Sequence, residues 1–169
     1  ETGLMNAGEE FGAIPYGTEA LGVMRIEKGH AAGNELNGQS TAHMLGLGGM
    51  VSKKKDSIGS KLSERTEMTK EDDLRLVGFR PKDKSVHLTA GAHFLNPGDP
   101  EDMAHDLGWM TSVAWSPELG HSVGLGFLKR GAERIGEPVR AYSPVRDQYV
   151  LVEVCSPHHI DTEGERQRG

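Results

Sequence analysis

Arg25 is the residue whose setting most calls for a chemical explanation. It lies within Ala20-Leu21-Gly22-Val23-Met24-Arg25-Ile26, a run otherwise built of small and apolar side chains. A guanidinium there must find an anion or a set of acceptors, because burying its charge unpaired is costly. Two kinds of partner meet that need. One is an acid of the same chain, Glu27 or another, giving a structural ion pair. The other is a ligand, for which Arg25 would act as a clamp. Local chemistry leaves the two open.

Four further features have residue types suited to chemistry. His93, Asp99, Asp102, His105 and Asp106 gather around the turn cluster at 96–102. A metal would need several of them to converge at about 2 Å. Their spacing matches no helix-borne zinc motif, so no metal ligand is assigned. Cys155 precedes Pro157-His158-His159, and a nucleophilic thiolate needs a partner base and an electropositive setting. Adjacent histidines point to opposite sides of an extended chain, and nothing in the spacing orients either. Cys155 is therefore expected to be a half-buried structural residue, and no catalytic residue is assigned. Trp109 and Trp115 fall at even spacing in one strand-like stretch, which places both on one face. Core packing is the expectation there, ahead of a flat wall for a planar ligand. Gly46-Leu47-Gly48-Gly49-Met50-Val51 starts like a dinucleotide fingerprint. Val51 takes the last glycine's place and no strand leads in, so these glycines are assigned to tight turns.

The elements that must position these residues follow from periodicity. Leu4, Ala7 and Phe11 share one helical face, with Gly12 and Pro15 as stop signals. Thr18 is a plausible N-cap for a helix over 19–27, with Leu21, Met24 and Ala20 toward the core. Asp56 would cap a short helix over 57–65, on which Ile58 and Leu62 share a face. Beyond Asp73 the period becomes that of strands: 74–79, 86–88, 109–115, 122–127 and 148–154, each bounded by turn-forming residues. Short strands at such spacing indicate an antiparallel sandwich or small barrel. The fold class is α+β: the end of a middle α+β lobe, then a small antiparallel β-barrel. The units are 1–50 for the lobe, 51–72 for a polar connector, 73–157 for the barrel and 158–169 for a polar, frayed tail. The chain opens on Glu1 within what reads as a helix, so a segment of a longer polypeptide is expected. A truncated lobe would leave one face of helix 18–27 uncovered.

Composition excludes several classes. At 169 residues with 36% hydrophobic content the chain can bury a core without staples. A net charge of −6 and 5% aromatic residues argue against nucleic acid as a partner. No apolar run is long enough for a membrane helix. The single cysteine rules out an internal disulfide framework and fits a reducing, cytoplasmic compartment.

An ordered series of motifs then resembles a known family. GTEALGVMRIEKG at 17–29 is similar to the A-x-x-x-L-R-L/I-E-x-G helix of the glycine-cleavage T-protein (aminomethyltransferase) family. GNELNGQST at 33–41 is similar to that family's G-x-E/D-I/L-D/N-x-x-T-T/S stretch, and GLGGMVSKKKDSIG at 46–59 to its L-G-x-x-V-x-x-K-K-D-F-I-G segment. GWMTSVAWSPEL at 108–119 resembles its G-x-V/M-T-S-x-x-x-S-P-x-L turn, and GLGF at 124–127 its A-L-G-Y/F strand. The residues at 15–30 and at 152–157 look most like the carboxy-terminal region of the alpha subunits of heterotetrameric sarcosine oxidases.

The resemblance implies the barrel fold and tetrahydrofolate as cofactor. It implies oxidative demethylation of sarcosine to glycine on flavin, with the one-carbon unit caught on tetrahydrofolate. FAD or FMN and NAD would lie on other segments or subunits. The partners would be the remaining subunits, the rest of the same alpha subunit, and the folate itself. Arg25 matches the family arginine that lines the folate cavity. The family's essential aspartate and its tyrosine–glutamate pterin contacts would precede Glu1, so the segment alone is expected to be inactive. Two positions depart from the pattern: Ser57 stands where Phe is usual, and Cys155 where T-proteins often have Arg. A subunit-docking module without a ligand role, and a glycine-cleavage aminomethyltransferase, are the alternatives.

Overall fold

The computed structural model describes residues 2–52, 54–55, 58–63, 65 and 73–168. A helical part precedes a six-stranded antiparallel barrel, the expected fold class. Helix α1 (Thr2–Gly8) runs into a 3-10 turn, Glu9–Phe11. Gly12 ends it in the left-handed conformation at φ 67°, as a residue without a Cβ readily can. Helix α2 spans Thr18–Lys28. Gly17, extended, is its N-cap; Thr18 is already helical and makes no capping bond. Helix α3 covers Ile58–Ser63. Its expected cap, Asp56, and the variant position Ser57 lie outside the described residues. Ile58 is exposed, so it anchors no core among the described residues.

The strands are β1 (Leu74–Pro81), β2 (His93–Leu95), β3 (Gly108–Ser116), β4 (His121–Lys129), β5 (Pro138–Ser143) and β6 (Gln148–Cys155). They close in the order β1-β4-β3-β2-β5-β6. Closure removes every sheet edge. Four strands coincide with the sequence expectation. The expected strand at 86–88 is instead an irregular connection, although Leu88 still fills the barrel. β2 and β5 were not anticipated. β2 is only three residues long, and β5 begins on Pro138 and carries Arg140 and Tyr142 on its half-exposed face.

Side chains fill the barrel interior. Phe79, Phe94, Met110, Val139, Val152 and Val154 are fully buried, and the Phe79 and Phe94 rings stack with centroids 4.0 Å apart. Each such side chain contributes about 1.5–3 kcal/mol by leaving water. Two glycines of β4 make the room. A Cβ at Gly124 would meet the Met110 sulfur at 3.0 Å, and one at Gly126 would meet the Phe79 ring at 3.0 Å.

A second core lies outside the barrel wall. Ile26 and Met44 pack with Leu76, Val123, Leu125 and Phe127. β4 is therefore buried on both faces. α2 turns Ile26 and Glu27 toward the barrel, not Ala20, Leu21 and Met24. Leu21 and Met24 remain about half exposed, so the described residues leave one face of the helix uncovered.

Candidate functional site

Arg25 lies in the seam between α2 and the barrel, and the seam is built around an acid that local sequence chemistry did not single out. Glu35, in the turns after α2, is completely buried. Its Oε2 accepts hydrogen bonds from Arg25 Nη1 and from the Ala32 amide, each at 2.9 Å. Its Oε1 accepts from the Ser112 hydroxyl at 2.6 Å and from the Thr111 hydroxyl. Ser112 Oγ in turn accepts from Arg25 Nη2 at 2.6 Å. A further, longer bond runs from Arg25 Nη1 to the His30 carbonyl. Burial pushes the Glu35 carboxyl up, but the bonds from Ser112, Thr111 and Ala32 and the Arg25 charge outweigh it. Glu35 is held below the usual glutamate value and stays ionised.

The strand makes this possible by an irregularity. β3 pairs with β4 through Met110↔Gly126 and then Ser112↔Leu125, so Thr111 is an extra residue in the ladder. Such a bulge breaks the alternation of faces and turns two adjacent hydroxyls to one carboxylate. The Thr111 carbonyl freed by the bulge accepts from Asn34 Nδ2 at 3.0 Å. The same bulge corrects the expectation for the tryptophans. Trp109 packs on Phe127 in the outer core, whereas Trp115, past the bulge, has the opposite parity to Ala114 of that core and lies against His87. The two indoles do not form one wall.

The structural partner of Arg25 is thus Glu35, not Glu27. Glu27 Oε1 accepts from Ser116 Oγ at 2.6 Å, a second tie between α2 and β3. Arg25 keeps about a fifth of its side chain in solvent. Its Nε–H and one Nη2–H have no partner among the described residues. It borders an open depression of about 430 Å³ shared with Leu21, Met24, Lys28 and Asp161. A fixed guanidinium with donors to spare, beside apolar side chains, can bind a carboxylate or a ring carbonyl through its planar fork.

The other candidates form separate local pairs. His93 Nδ1 lies 3.1 Å from Asp106, and His105 Nδ1 lies 2.6 Å from Asp102, whose side chain also caps the amides of Ala104 and His105. Among the described residues no three His, Cys, Asp or Glu side chains gather as a cation site. Cys155 Sγ does approach His159 Nδ1, at 3.8 Å. Contrary to the spacing argument, His159 is oriented: its Nε2–H donates to the Gly124 carbonyl at 3.1 Å. Burial pushes the thiol up to about 11 and the imidazole down to about 4. The pair is neutral and unactivated.

Comparison with known proteins fixes the family. Residues 75–161 match the profile of the glycine cleavage T-protein C-terminal barrel domain, and residues 2–55 that of the GCVT N-terminal domain. The chain belongs to the glycine cleavage T-protein family. It is 37% identical over 164 residues to the sarcosine oxidase subunit alpha of Rhizobium meliloti (strain 1021), covering 96% of this chain and 17% of that protein. It is 38% identical over 166 residues to that of Corynebacterium sp. (strain P-1), with the same coverage. The aminomethyltransferase of Halothermothrix orenii is 29% identical, covering 89% of this chain and 40% of the relative. This T-protein family chain therefore spans about one sixth of the length of the alpha subunits it matches. The crystal structure of the glycine cleavage system aminomethyltransferase T from Bartonella henselae superposes with a TM-score of 0.69 at 21% identity, over 86% of this chain and 39% of that one. That likeness shows the shared fold. No helix among the described residues is long and apolar enough to cross a membrane.

Proposed function

We propose that this chain is the carboxy-terminal region of a sarcosine-oxidase-type alpha subunit, and that Arg25 helps line the wall of a tetrahydrofolate cavity. The similarity to sarcosine oxidase alpha subunits, which runs over nearly the whole chain and exceeds that to the aminomethyltransferase, carries this reading. Tetrahydrofolate, when bound, supplies the nitrogens that capture the one-carbon unit released by amine oxidation. Flavin and NAD belong to other segments or subunits of this cytoplasmic complex. This chain's own part is to bind and orient. Glu35 neutralises Arg25 and locks its rotamer, and the spare Nε–H and Nη2–H are the donors available to a folate carboxylate or pterin oxygen. In this reading the flavin and the family's essential aspartate belong to other segments, so the isolated segment is expected to be inactive.

The second reading, favoured by the Glu35 pair itself, makes Arg25 purely structural and the barrel a subunit-docking module. One experiment separates the two in the complete enzyme. The double substitution Arg25→Met with Glu35→Leu removes both charges and fills their space with apolar side chains of similar length. Under the cavity reading, flavin-dependent sarcosine oxidation survives while folate no longer captures the product. Folate coupling unchanged in a well-folded double variant overturns it. A glycine-cleavage aminomethyltransferase would instead turn over a lipoate-bearing carrier, and turnover of that carrier overturns the oxidase assignment.

A further inference from the structure

The residues after β6, expected to fray, close onto α2 as a strap. A helix leaves its last four carbonyls without intrahelical partners. In α2 these belong to Arg25, Ile26, Glu27 and Lys28. The chain reversal at Gly29, at φ 76°, satisfies the first two: His30 N donates to the Arg25 carbonyl at 2.8 Å and Gly29 N to that of Ile26 at 3.1 Å. The strap takes the other two. His159 N and Ile160 N donate to the Glu27 carbonyl at 2.8 and 3.0 Å, and His158 Nδ1 to the Lys28 carbonyl at 2.8 Å. Outside them, Lys28 Nζ pairs with Asp161 at 3.0 Å.

The strap is seated in a slot shaped for it. A Cβ at Gly78 in β1 would meet the Ser156 carbonyl at 2.3 Å and Cys155 Sγ and the His159 ring at 3.0 Å each. A Cβ at Gly29 would meet the Pro157 carbonyl at 2.5 Å. His159 is the only strap side chain that bonds β4, through Nε2–H to Gly124, among the described residues. It therefore spans both bodies: its backbone holds α2 and its ring holds the barrel.

We infer that His159 is a positioning residue, pinning the last turn of α2 to β4 and so fixing where the Arg25 guanidinium stands relative to the barrel. The strap itself is independent of any ligand; its effect on folate rests on the cavity reading above. The histidine acts as a neutral donor, and Cys155, His121, Arg80 and His158 are the charged or titratable groups around it.

The test compares His159→Phe with His159→Gln, which retains an N–H donor, in the complete natural polypeptide. Amide exchange across residues 22–28 should accelerate roughly tenfold or more in His159→Phe and return toward the parent rate in His159→Gln. Unchanged exchange in His159→Phe overturns the strap. If exchange rises, the folate KM should rise roughly tenfold while flavin turnover holds. Loosened α2 with unchanged folate KM leaves the strap standing and removes Arg25 from the cavity. Should His159→Phe not fold, Asp161→Asn weakens the strap at its ion pair with Lys28. A smaller rise in exchange over the same amides then supports the inference, and none overturns it.

Discussion

The barrel interior and the α2 seam hold this molecule together in opposite ways. Inside the barrel, eleven buried side chains are all apolar, and the rings and branched chains fix one another by contact alone. In the seam, Ile26 and Met44 supply some apolar contact, but orientation comes from Arg25, Glu35 and Ser112 bonded in a ring, with Thr111 donating to the same carboxylate, and from Glu27 on Ser116. Apolar packing is non-directional and tolerates sliding until the jigsaw closes. A buried carboxylate with four donors does not: displacing α2 strands a charge. The barrel is thus the source of stability, and the seam specifies where a helix sits.

The largest effect should come from the barrel. Phe79→Ala removes one of two stacked, fully buried rings, and a loss of about 3–5 kcal/mol is expected in chemical denaturation. A loss under about 1 kcal/mol would mean that the interior collapses around the gap and is not tightly packed. Glu35→Ala comes next. It leaves Arg25 without its anion and Thr111 and Ser112 without their acceptor. Removing one partner of a buried pair costs about 3–5 kcal/mol. Because Arg25 retains about a fifth of its side chain in solvent, we expect about 2–3 kcal/mol here. Removing both charges in Arg25→Met with Glu35→Leu should recover most of that loss, whereas no second substitution rescues Phe79→Ala in the same way. A double variant as unstable as Glu35→Ala would show that the seam depends on its charges for stability as well as for orientation.

The same contrast explains what the sequence disclosed. The longer barrel strands were legible because alternation between wall faces is a local pattern. β2 and β5 were not, since three residues carry no period and Pro138 reads as a break. The core-facing side of α2 was misread because Leu21 and Met24 are its obvious apolar residues, yet the barrel selects Ile26 and the polar Glu27. Arg25 stood out because its neighbours are apolar. Its partner did not, because Glu35 sits among glycine and asparagine turns where an acid looks ordinary. The adjacent hydroxyls of Thr111 and Ser112 were the available signal, as two polar residues side by side in a strand point to one face only across a bulge.

Acid separates the seam and its strap from the apolar cluster around Phe79 and Phe94 inside the barrel. The folded-state value of His159 is lowered from 6.5 to about 4. Below 6.5 the unfolded chain takes up a proton that the folded chain refuses, so stability falls with pH until about 4. Glu35 is also lowered. Its contribution is present above the ordinary glutamate value and is lost as pH drops through the folded one. His159→Gln should therefore flatten the decline between pH 6.5 and about 4.5 in denaturation profiles and leave the steeper fall below it. A decline that persists unchanged in that variant would assign the upper limb to another group.

The smallest effect concerns Cys155, where the strap meets the barrel. Its thiol is pushed up to about 11 by burial, with the Glu153 charge adding to the shift and Arg80 opposing it. At pH 8 almost none is thiolate, and the neighbouring imidazole, pushed down to about 4, is too weak a base to take the proton. Alkylation by iodoacetamide at that pH should therefore be slow at the half-buried thiol and be accelerated by opening of the strap. The parent protein should be labelled slowly, and His159→Phe faster by the same factor as its α2 amides exchange. Equal labelling rates in the two would mean that the thiol is reached with the strap closed.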